Sequence, residues 1–126
     1  MELRFVALVA AGSATGGVMR YLVSGALTRG DFPWGTFAVN FTGTFLLTLL
    51  FFMFIQGGYL NPDLRTFLFI GVFGGYTTFS TFGLETTTLI RESQFALAGA
   101  NILLNAGLCL AGGMVGAMAG TWLGGT

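Results

Sequence analysis

Polar side chains recur at helical spacing inside the most apolar parts of this sequence. Thr36, Asn40, Thr44 and Thr48 follow one another at intervals of four, which places them on one face of a helix. Such a face is not directed at lipid, and an asparagine amide offers two donors suited to an anion. Hydrogen bonding to a neighbouring helix, brought close at Gly43, is the alternative interpretation for Asn40.

The segment GVFGGYTTFSTFGLE contains residues that oppose a continuous helix. Gly74 and Gly75 weaken the helix, and the hydroxyls that follow, from Thr77 onward, compete for its backbone bonds. We predict a break near residues 74–80, buried in protein because unsatisfied carbonyls in hydrocarbon are costly. Freed carbonyls suit an alkali cation. A packed, continuous helix with hydroxyls bonded along it is the alternative.

Phe79 and Phe82 are three residues apart and flank hydroxyls such as that of Ser80. The chain has 14 phenylalanines, so most must face lipid or fill packing gaps. Beside a helix break, however, these two rings could present their positive edges to an anion. That arrangement coordinates a desolvated anion without a fixed positive charge.

The last apolar stretch places Asn101, Asn105 and Cys109 at successive intervals of four, again on one face. Spacing alone leaves open whether the two amides line a path or tie helices together. Arg20 interrupts the first apolar stretch, where burying a guanidinium costs about 3 kcal/mol. It either snorkels to the interface or faces a watery vestibule that attracts anions.

Composition defines the elements that carry these residues. The 126 residues are 54% hydrophobic and 8% charged, and residues 32–62, 66–84 and 93–126 contain no charged side chain. A membrane-spanning helix needs about 20 apolar residues, so each gap can hold one. We predict an all-α membrane protein with a single four-helix domain over residues 1–126. Its spans are 5–28, 35–57, 66–90 and 95–122.

Several function classes are disfavoured by residue content. Histidine is absent and Cys109 is the single cysteine, which argues against a metalloenzyme, a histidine-based acid–base catalyst and a disulfide. We expect no enzymatic activity. A cleaved secretory leader at residues 1–16 is a weaker interpretation than a retained helix, because the apolar stretch continues past any cleavage site.

Basic residues flank the spans evenly. Arg4 and Arg65 lie on one side, and Arg29 and Arg91 lie on the other. By the positive-inside rule such a chain has no orientation bias and can insert both ways. Because four helices enclose little of an aqueous path, we expect a second copy, and an antiparallel homodimer is possible.

GTFAVNFTGTF, the later GVFGGYTTFSTFGLE and the upstream GGVMRY together resemble the Fluc (CrcB) family of fluoride channels. The resemblance covers nearly the whole chain, and GGYTTFSTF is its specific part. It implies dual-topology, antiparallel homodimers in the bacterial inner membrane, with two pores along the dimer interface. It also implies passive fluoride export that lowers the cellular concentration. Fluoride, membrane lipid and a second copy are the expected partners, and nucleic acid is not.

The resemblance also implies roles for individual residues. Asn40 would donate to fluoride, and Phe79 and Phe82 would contact it with their ring edges. Gly74 and Thr77 would give main-chain oxygens to a central structural sodium ion. The other implied positions are Thr36 and Ser80 in the pore, with Arg20 at the vestibule and Glu85 at the mouth.

The fourth helix departs from the family pattern. The family often has Tyr and Ser in this polar track, whereas this chain has Asn101 and Asn105. An amide can still donate to fluoride, so both stay candidate pore residues.

Two other functions fit part of the sequence. A proton-coupled small multidrug transporter needs a carboxylate inside the membrane, and Glu85 is near a span end. A non-conducting assembly protein explains the glycines but not the combination of Asn40, the broken helix and the paired phenylalanines.

Overall fold

The computed structural model describes residues 1–55 and 58–125, and within them every regular element is helical. A break separates two helices, α3 and α4, in the third apolar stretch. The helices are α1 (Leu3–Leu27), α2 (Trp34–Leu50, continued by a π-helical turn at Phe51–Ile55), α3 (residues 62–76), α4 (Ser80–Arg91) and α5 (Phe95–Leu123).

Four stretches are long and apolar enough to cross a membrane, which confirms the predicted multi-pass membrane protein. Their ends lie within a few residues of the predicted ones, and the predicted end of the second span at residue 57 lies outside the described residues. The antiparallel dimer stays a prediction. The stretches are Leu3–Leu27, Trp34–Phe54, Pro62–Arg91 and Phe95–Leu123.

Small residues bring the helices together. α1 lies against α3 where Gly12 and Gly71 meet, and a Cβ on Gly71 would come within 2.8 Å of the Gly12 Cα. On the other side of the bundle, buried Gly116 and Gly120 of α5 lie against the α2 backbone. Without a hydrophobic driving force in lipid, such close backbone contact is a main source of helix association.

The predicted break in the third span is confirmed, and it lies at residues 77–79. α3 ends at Tyr76, Thr77 is extended (φ −88°, ψ 157°), and α4 begins at Ser80. Gly74 and Gly75 remain helical. The Thr77 hydroxyl donates to the Phe73 carbonyl (3.0 Å), so it helps to close the end of α3.

α5 contains a π-helical turn at Leu103–Leu108. Here the backbone bonds reach one residue further back, as in the bond from the Cys109 N–H to the Leu104 carbonyl. The turn shifts the register of everything after it. The four-residue spacing of Asn101, Asn105 and Cys109 therefore does not describe a regular α-helical face. Asn101 is fully buried, whereas Asn105 is half-buried.

Candidate ion-binding site

The Asn40 side chain closes the break between α3 and α4. Its Nδ2 donates to the Thr78 carbonyl (2.9 Å), and its Oδ1 accepts from the Thr78 backbone N–H (2.8 Å). The amide thus satisfies both backbone polar groups of a residue that has left the helix, as burial of Thr78 requires. The interhelical bonding considered for Asn40 is therefore present, between residues on different spans.

A chain of side-chain hydrogen bonds leads away from Asn40. The second N–H of its Nδ2 donates to Asn105 Oδ1 (2.8 Å), and Asn105 Nδ2 donates to Asn101 Oδ1 (2.9 Å) and the Asn101 carbonyl (3.1 Å). Asn101 Nδ2 donates to Thr86 Oγ1 (2.9 Å), and that hydroxyl donates to the Phe82 carbonyl (2.8 Å). Every donor points the same way, from α2 through α5 to α4.

Phe79 and Phe82 line a cleft of about 280 Å³ that lies beside this series of hydrogen bonds. Their ring centroids are 5.5 Å apart with an interplanar angle of 57°, and Phe79 is 82% exposed in the single subunit. The cleft thus brings together Asn40, both rings and Asn105, four of the residues predicted to form the pore. Its other lining residues are Thr44, Thr77, Thr78, Ala106 and Cys109.

Three predicted pore residues lie away from this cleft. Thr36 is buried, and its hydroxyl donates to Glu85 Oε1 (2.6 Å). Ser80 is exposed at the first residue of α4, with its Oγ 3.5 Å from Thr78 Oγ1. Asn101 is 0% exposed, and its hydrogen bonds with Asn105 connect it to the cleft.

Arg20 and Thr36 line a second cleft, on the other side of Thr78. Thr78 and Thr81 supply hydroxyls to this cleft, and Thr78 also lines the first one. Among the described residues, no carboxylate lies within ion-pair distance of Arg20. Its positive charge thus lies beside this cleft without a carboxylate partner from the described residues, and its vestibule role stays a prediction.

Glu85 lies apart from Arg20, near a third cleft formed with the loop before α2. One of its carboxylate oxygens is bonded to Thr36, while the other, Oε2, is enclosed without a hydrogen-bond partner from the part of the chain that the structure describes. Thr36 and Glu85 therefore form one unit, although they were predicted for different parts of the path.

Gly74 and Thr77 were predicted to hold a cation through main-chain oxygens. Gly74 is exposed, with open space where a side chain would start. Thr77 lies at the break, and its hydroxyl is already used by Phe73. Among the described residues, no three His, Cys, Asp or Glu side chains lie close enough together to hold a metal ion. A cation here would therefore depend on carbonyl oxygens. The donor chemistry fits a hard monovalent cation.

Comparison with known proteins shows the family. The family described as "CrcB-like protein, Camphor Resistance (CrcB)" matches residues 7–120. The chain belongs to this CrcB-like family. The matched range includes every residue named above for the two clefts.

Several curated relatives are 42–45% identical to this chain over the aligned residues. The protein "Fluoride-specific ion channel FluC" of Geobacter sulfurreducens is 43% identical over 114 residues, which cover 88% of this chain and 92% of the relative. The proteins of the same name from Coxiella burnetii (strain CbuK_Q154) and Elusimicrobium minutum are 42% and 45% identical over 122 and 109 residues. These alignments cover 94% and 83% of this chain, and 98% and 84% of the relatives.

Sequence reasoning missed three threonines that complete the site of this CrcB-like chain. Thr78 is the backbone partner of Asn40, Thr81 lines the Arg20 cleft, and Thr86 receives the Asn101 amide. Thr78 and Thr81 belong to the hydroxyl run that predicted the break, so that run did indicate them. Thr86 lies in a series of three threonines, and nothing in the sequence separates it from its neighbours.

Proposed function

We propose that this chain is a fluoride-selective channel that passively exports fluoride across the cytoplasmic membrane and so lowers its cellular concentration. The observation that carries the proposal is the shared cleft of Asn40, Phe79 and Phe82 beside a helix break. The relatives that align with almost the full chain are named as fluoride-specific ion channels, which supports the same conclusion. Their names also agree with the prediction that the chain is not an enzyme.

The lining of the cleft suits a small, strongly hydrated anion. A selective path must replace the water around the ion with closely placed donors, and binding must stay weak enough for release. Asn40 and Asn105 supply amides, Thr44 and Thr78 supply hydroxyls, and the phenylalanine edges supply weak positive potential. Neutral donors meet both conditions better than a buried cation, which would retain the ion.

The active unit in this proposal is an antiparallel homodimer. In one subunit the Phe79 ring is 82% exposed and the cleft is open at one side, so a single copy does not enclose a path. A second copy would cover that side and repeat the site, which gives two pores for each dimer. The even distribution of basic residues on the two sides supports opposite orientations of the two copies.

A structural sodium ion at the break is part of the same proposal. The main-chain oxygens of Gly74 and Thr77 would hold it, from both subunits. Sodium supplies no reaction chemistry here; it would neutralise the carbonyl dipoles that the break leaves near the dimer centre. The extended backbone of Thr77 and the open surface at Gly74 support this role.

Entry and exit of the ion depend on the polar groups outside the cleft. Arg20 raises the local anion concentration beside Thr36, Thr78 and Thr81. Glu85 would repel an anion if its charge faced the path. Its short bond to Thr36 holds one oxygen away from that role.

Anion efflux from liposomes containing the purified protein tests the proposal, with fluoride and chloride electrodes recording each ion. We expect rapid fluoride efflux without chloride efflux, and loss of fluoride efflux in Phe79→Ile and Asn40→Asp. Phe95→Ile is the matched control, because Phe95 is also exposed but lies at the start of α5, away from the cleft. Absence of fluoride efflux from a folded wild-type dimer would overturn the proposal.

A further inference from the structure

Both donors of the Asn40 amide are already used in the subunit. One N–H is bonded to the Thr78 carbonyl and the other to Asn105 Oδ1. A fluoride ion that binds Asn40 from the cleft must therefore take the place of one acceptor. Thr78 is the backbone group that holds the break closed, so Asn105 Oδ1 is the acceptor that can be replaced. The question is what Asn105 does when the ion arrives.

Each of the three side chains that follow Asn40 in this series of hydrogen bonds can act as a donor or as an acceptor. Asn105 and Asn101 have amides with a donor end and an acceptor end of the same shape, and the Thr86 hydroxyl both donates and accepts. Rotating the two amides by half a turn exchanges their ends without moving the backbone. The Thr86 hydroxyl then turns from the Phe82 carbonyl toward Asn101 Oδ1.

We propose that fluoride binding reverses the direction of the chain Asn105–Asn101–Thr86, so that Asn105 changes from an acceptor of Asn40 into a second donor to the ion. In the reversed chain, Thr86 donates to Asn101 and Asn101 donates to Asn105 Oδ1. The Asn105 amide nitrogen then faces the cleft beside the Asn40 nitrogen. This inference rests on the proposed function and assigns the roles of the two asparagines that depart from the family pattern.

The balance of hydrogen bonds favours reversal only when an anion is present. The reversed chain loses two bonds, from Asn105 Nδ2 to the Asn101 carbonyl (3.1 Å) and from the Thr86 hydroxyl to the Phe82 carbonyl (2.8 Å). Without an ion, two N–H groups would face each other across the gap. With an ion, both donate to a full negative charge, and charge-assisted bonds are about twice as strong as neutral ones. The free energy that reversal costs is subtracted from the free energy of fluoride binding. The ion therefore binds weakly enough to be released.

Burial and backbone geometry support this division of roles. Asn101 is 0% exposed and cannot touch the ion in the subunit, so it acts as a positioning residue. Asn105 is half-buried, lines the cleft and lies within the π-helical turn Leu103–Leu108. Such turns frequently occur at functional sites, and this one shifts Asn105 out of register with the α-helix that holds Asn101.

The direct test is a fluoride titration of the ¹⁵N-labelled wild-type dimer in lipid nanodiscs, observed through the side-chain amide signals. The chain has four asparagines, which single substitutions assign, and exposed Asn61 serves as the internal control. We expect the Asn40 and Asn105 amide signals to shift together with one midpoint, while Asn61 is unchanged. A shift of Asn40 with Asn105 and Asn101 unchanged would overturn the inference.

Thr86→Val gives a second test that a purely structural role would not pass. Valine removes two bonds of the resting direction, from the Asn101 N–H to Thr86 and from the Thr86 hydroxyl to the Phe82 carbonyl, but only one bond of the reversed direction, from Thr86 to Asn101. The variant should therefore favour the reversed chain and lower the midpoint of the fluoride titration about three- to tenfold, as expected for one net hydrogen bond. An unchanged or higher midpoint would contradict the proposal.

Thr88→Val is the matched control, because the Thr88 hydroxyl donates to the Leu84 carbonyl of its own helix on the exposed side of α4. Its midpoint should equal that of the wild type. Fluoride efflux from wild-type liposomes distinguishes failure of the proposed function from failure of this inference alone. Absence of efflux overturns the proposed function and this inference with it, whereas efflux with an unshifted Asn105 amide overturns the inference alone.

Discussion

Asn40 and Thr78 form a two-bond ring, in which the side-chain amide of one residue pairs with the backbone N–H and carbonyl of the other. Because of this ring, neither the backbone N–H nor the carbonyl of Thr78 is left unsatisfied where the membrane helix breaks. It also fixes the orientation of the amide whose remaining N–H points to Asn105. One asparagine therefore bonds the backbone at the break and also lines the cleft, so we expect its substitutions to affect folding and conduction together.

Asn40→Asp should show this double effect. A carboxylate keeps the bond from the Thr78 N–H, but its second oxygen would face the Thr78 carbonyl and Asn105 Oδ1, both acceptors. We expect a loss of at least about 2 kcal/mol in the free energy of unfolding, the scale for an uncompensated buried polar group. Fluoride efflux should also be lost. Reversible unfolding in detergent, followed by circular dichroism, measures the first effect.

Asn61→Asp is the control for that substitution. Asn61 caps the start of α3 by accepting from the Leu64 N–H (2.8 Å), and a carboxylate performs that role equally well. Its stability and efflux should match those of the wild type. If Asn40→Asp unfolded no more easily than Asn61→Asp, the ring would not be holding the break.

Phe79→Ile should remove conduction with little effect on the fold of the subunit. The ring is 82% exposed and lies at the residue before α4, so few contacts within the subunit depend on it. We expect wild-type helicity and a loss of fluoride efflux of about tenfold or more if the ring edge contributes about 1.4 kcal/mol to the barrier. Retained efflux would remove Phe79 from the path.

The sequence was sufficient to predict the helices and their order, because span length and apolar content depend on neighbouring residues alone. The exact position of the break could not be predicted from the sequence. Gly74 and Gly75 indicated the right segment, yet the chain leaves the helix at Thr77, where Asn40 is available to bond Thr78 from 38 residues away. A contact between distant residues decided the position, and local propensity does not contain it.

The site could be predicted only in part, again because contacts between distant residues determine its arrangement. Asn40, Asn105 and the two phenylalanines, which the sequence singled out, all line one cleft. Their role as pore residues stays a prediction. Spacing did not separate Asn101 from Asn105, because the π-helical turn that begins after Asn101 and contains Asn105 cannot be read from a period of four. It also gave no indication that Thr36 and Glu85, 49 residues apart, would share a bond.

Arg20→Gln should slow fluoride efflux in a salt-dependent way. The guanidinium is half-buried beside Thr36 and Thr78, without a carboxylate partner among the described residues, so its charge acts on anions entering the cleft. We expect about two- to fivefold slower efflux at low ionic strength. The difference should shrink in about 1 M of an impermeant salt, where charges are screened within about 3 Å.

Arg65→Gln is the matched control, since Arg65 is exposed and lies at the start of α3, outside that cleft. It should change efflux little at either salt concentration. A defect in Arg20→Gln that persisted unchanged at high salt would indicate a structural role for Arg20 and would contradict electrostatic attraction.

Gly16 and Gly17 are adjacent in α1 and should respond in opposite ways to alanine. A Cβ on Gly16 would collide with the Val72 carbonyl and come within 2.9 Å of the Tyr76 N, and these backbone atoms of α3 cannot move aside as a flexible side chain can. A Cβ on Gly17 would meet nothing within 4 Å. Gly16→Ala must therefore separate α1 from α3, at about 1–3 kcal/mol as for an overpacked core.

Gly17→Ala should instead leave stability unchanged or raise it by up to about 1 kcal/mol, because alanine is the better helix former. Thermal unfolding of the two variants, with circular dichroism as the readout, compares them under identical conditions. Since α3 ends at Tyr76 immediately before the break, Gly16→Ala should also disturb the Asn40–Thr78 ring and slow fluoride efflux. Equal melting temperatures for the two variants would show that α1 and α3 do not pack through Gly16.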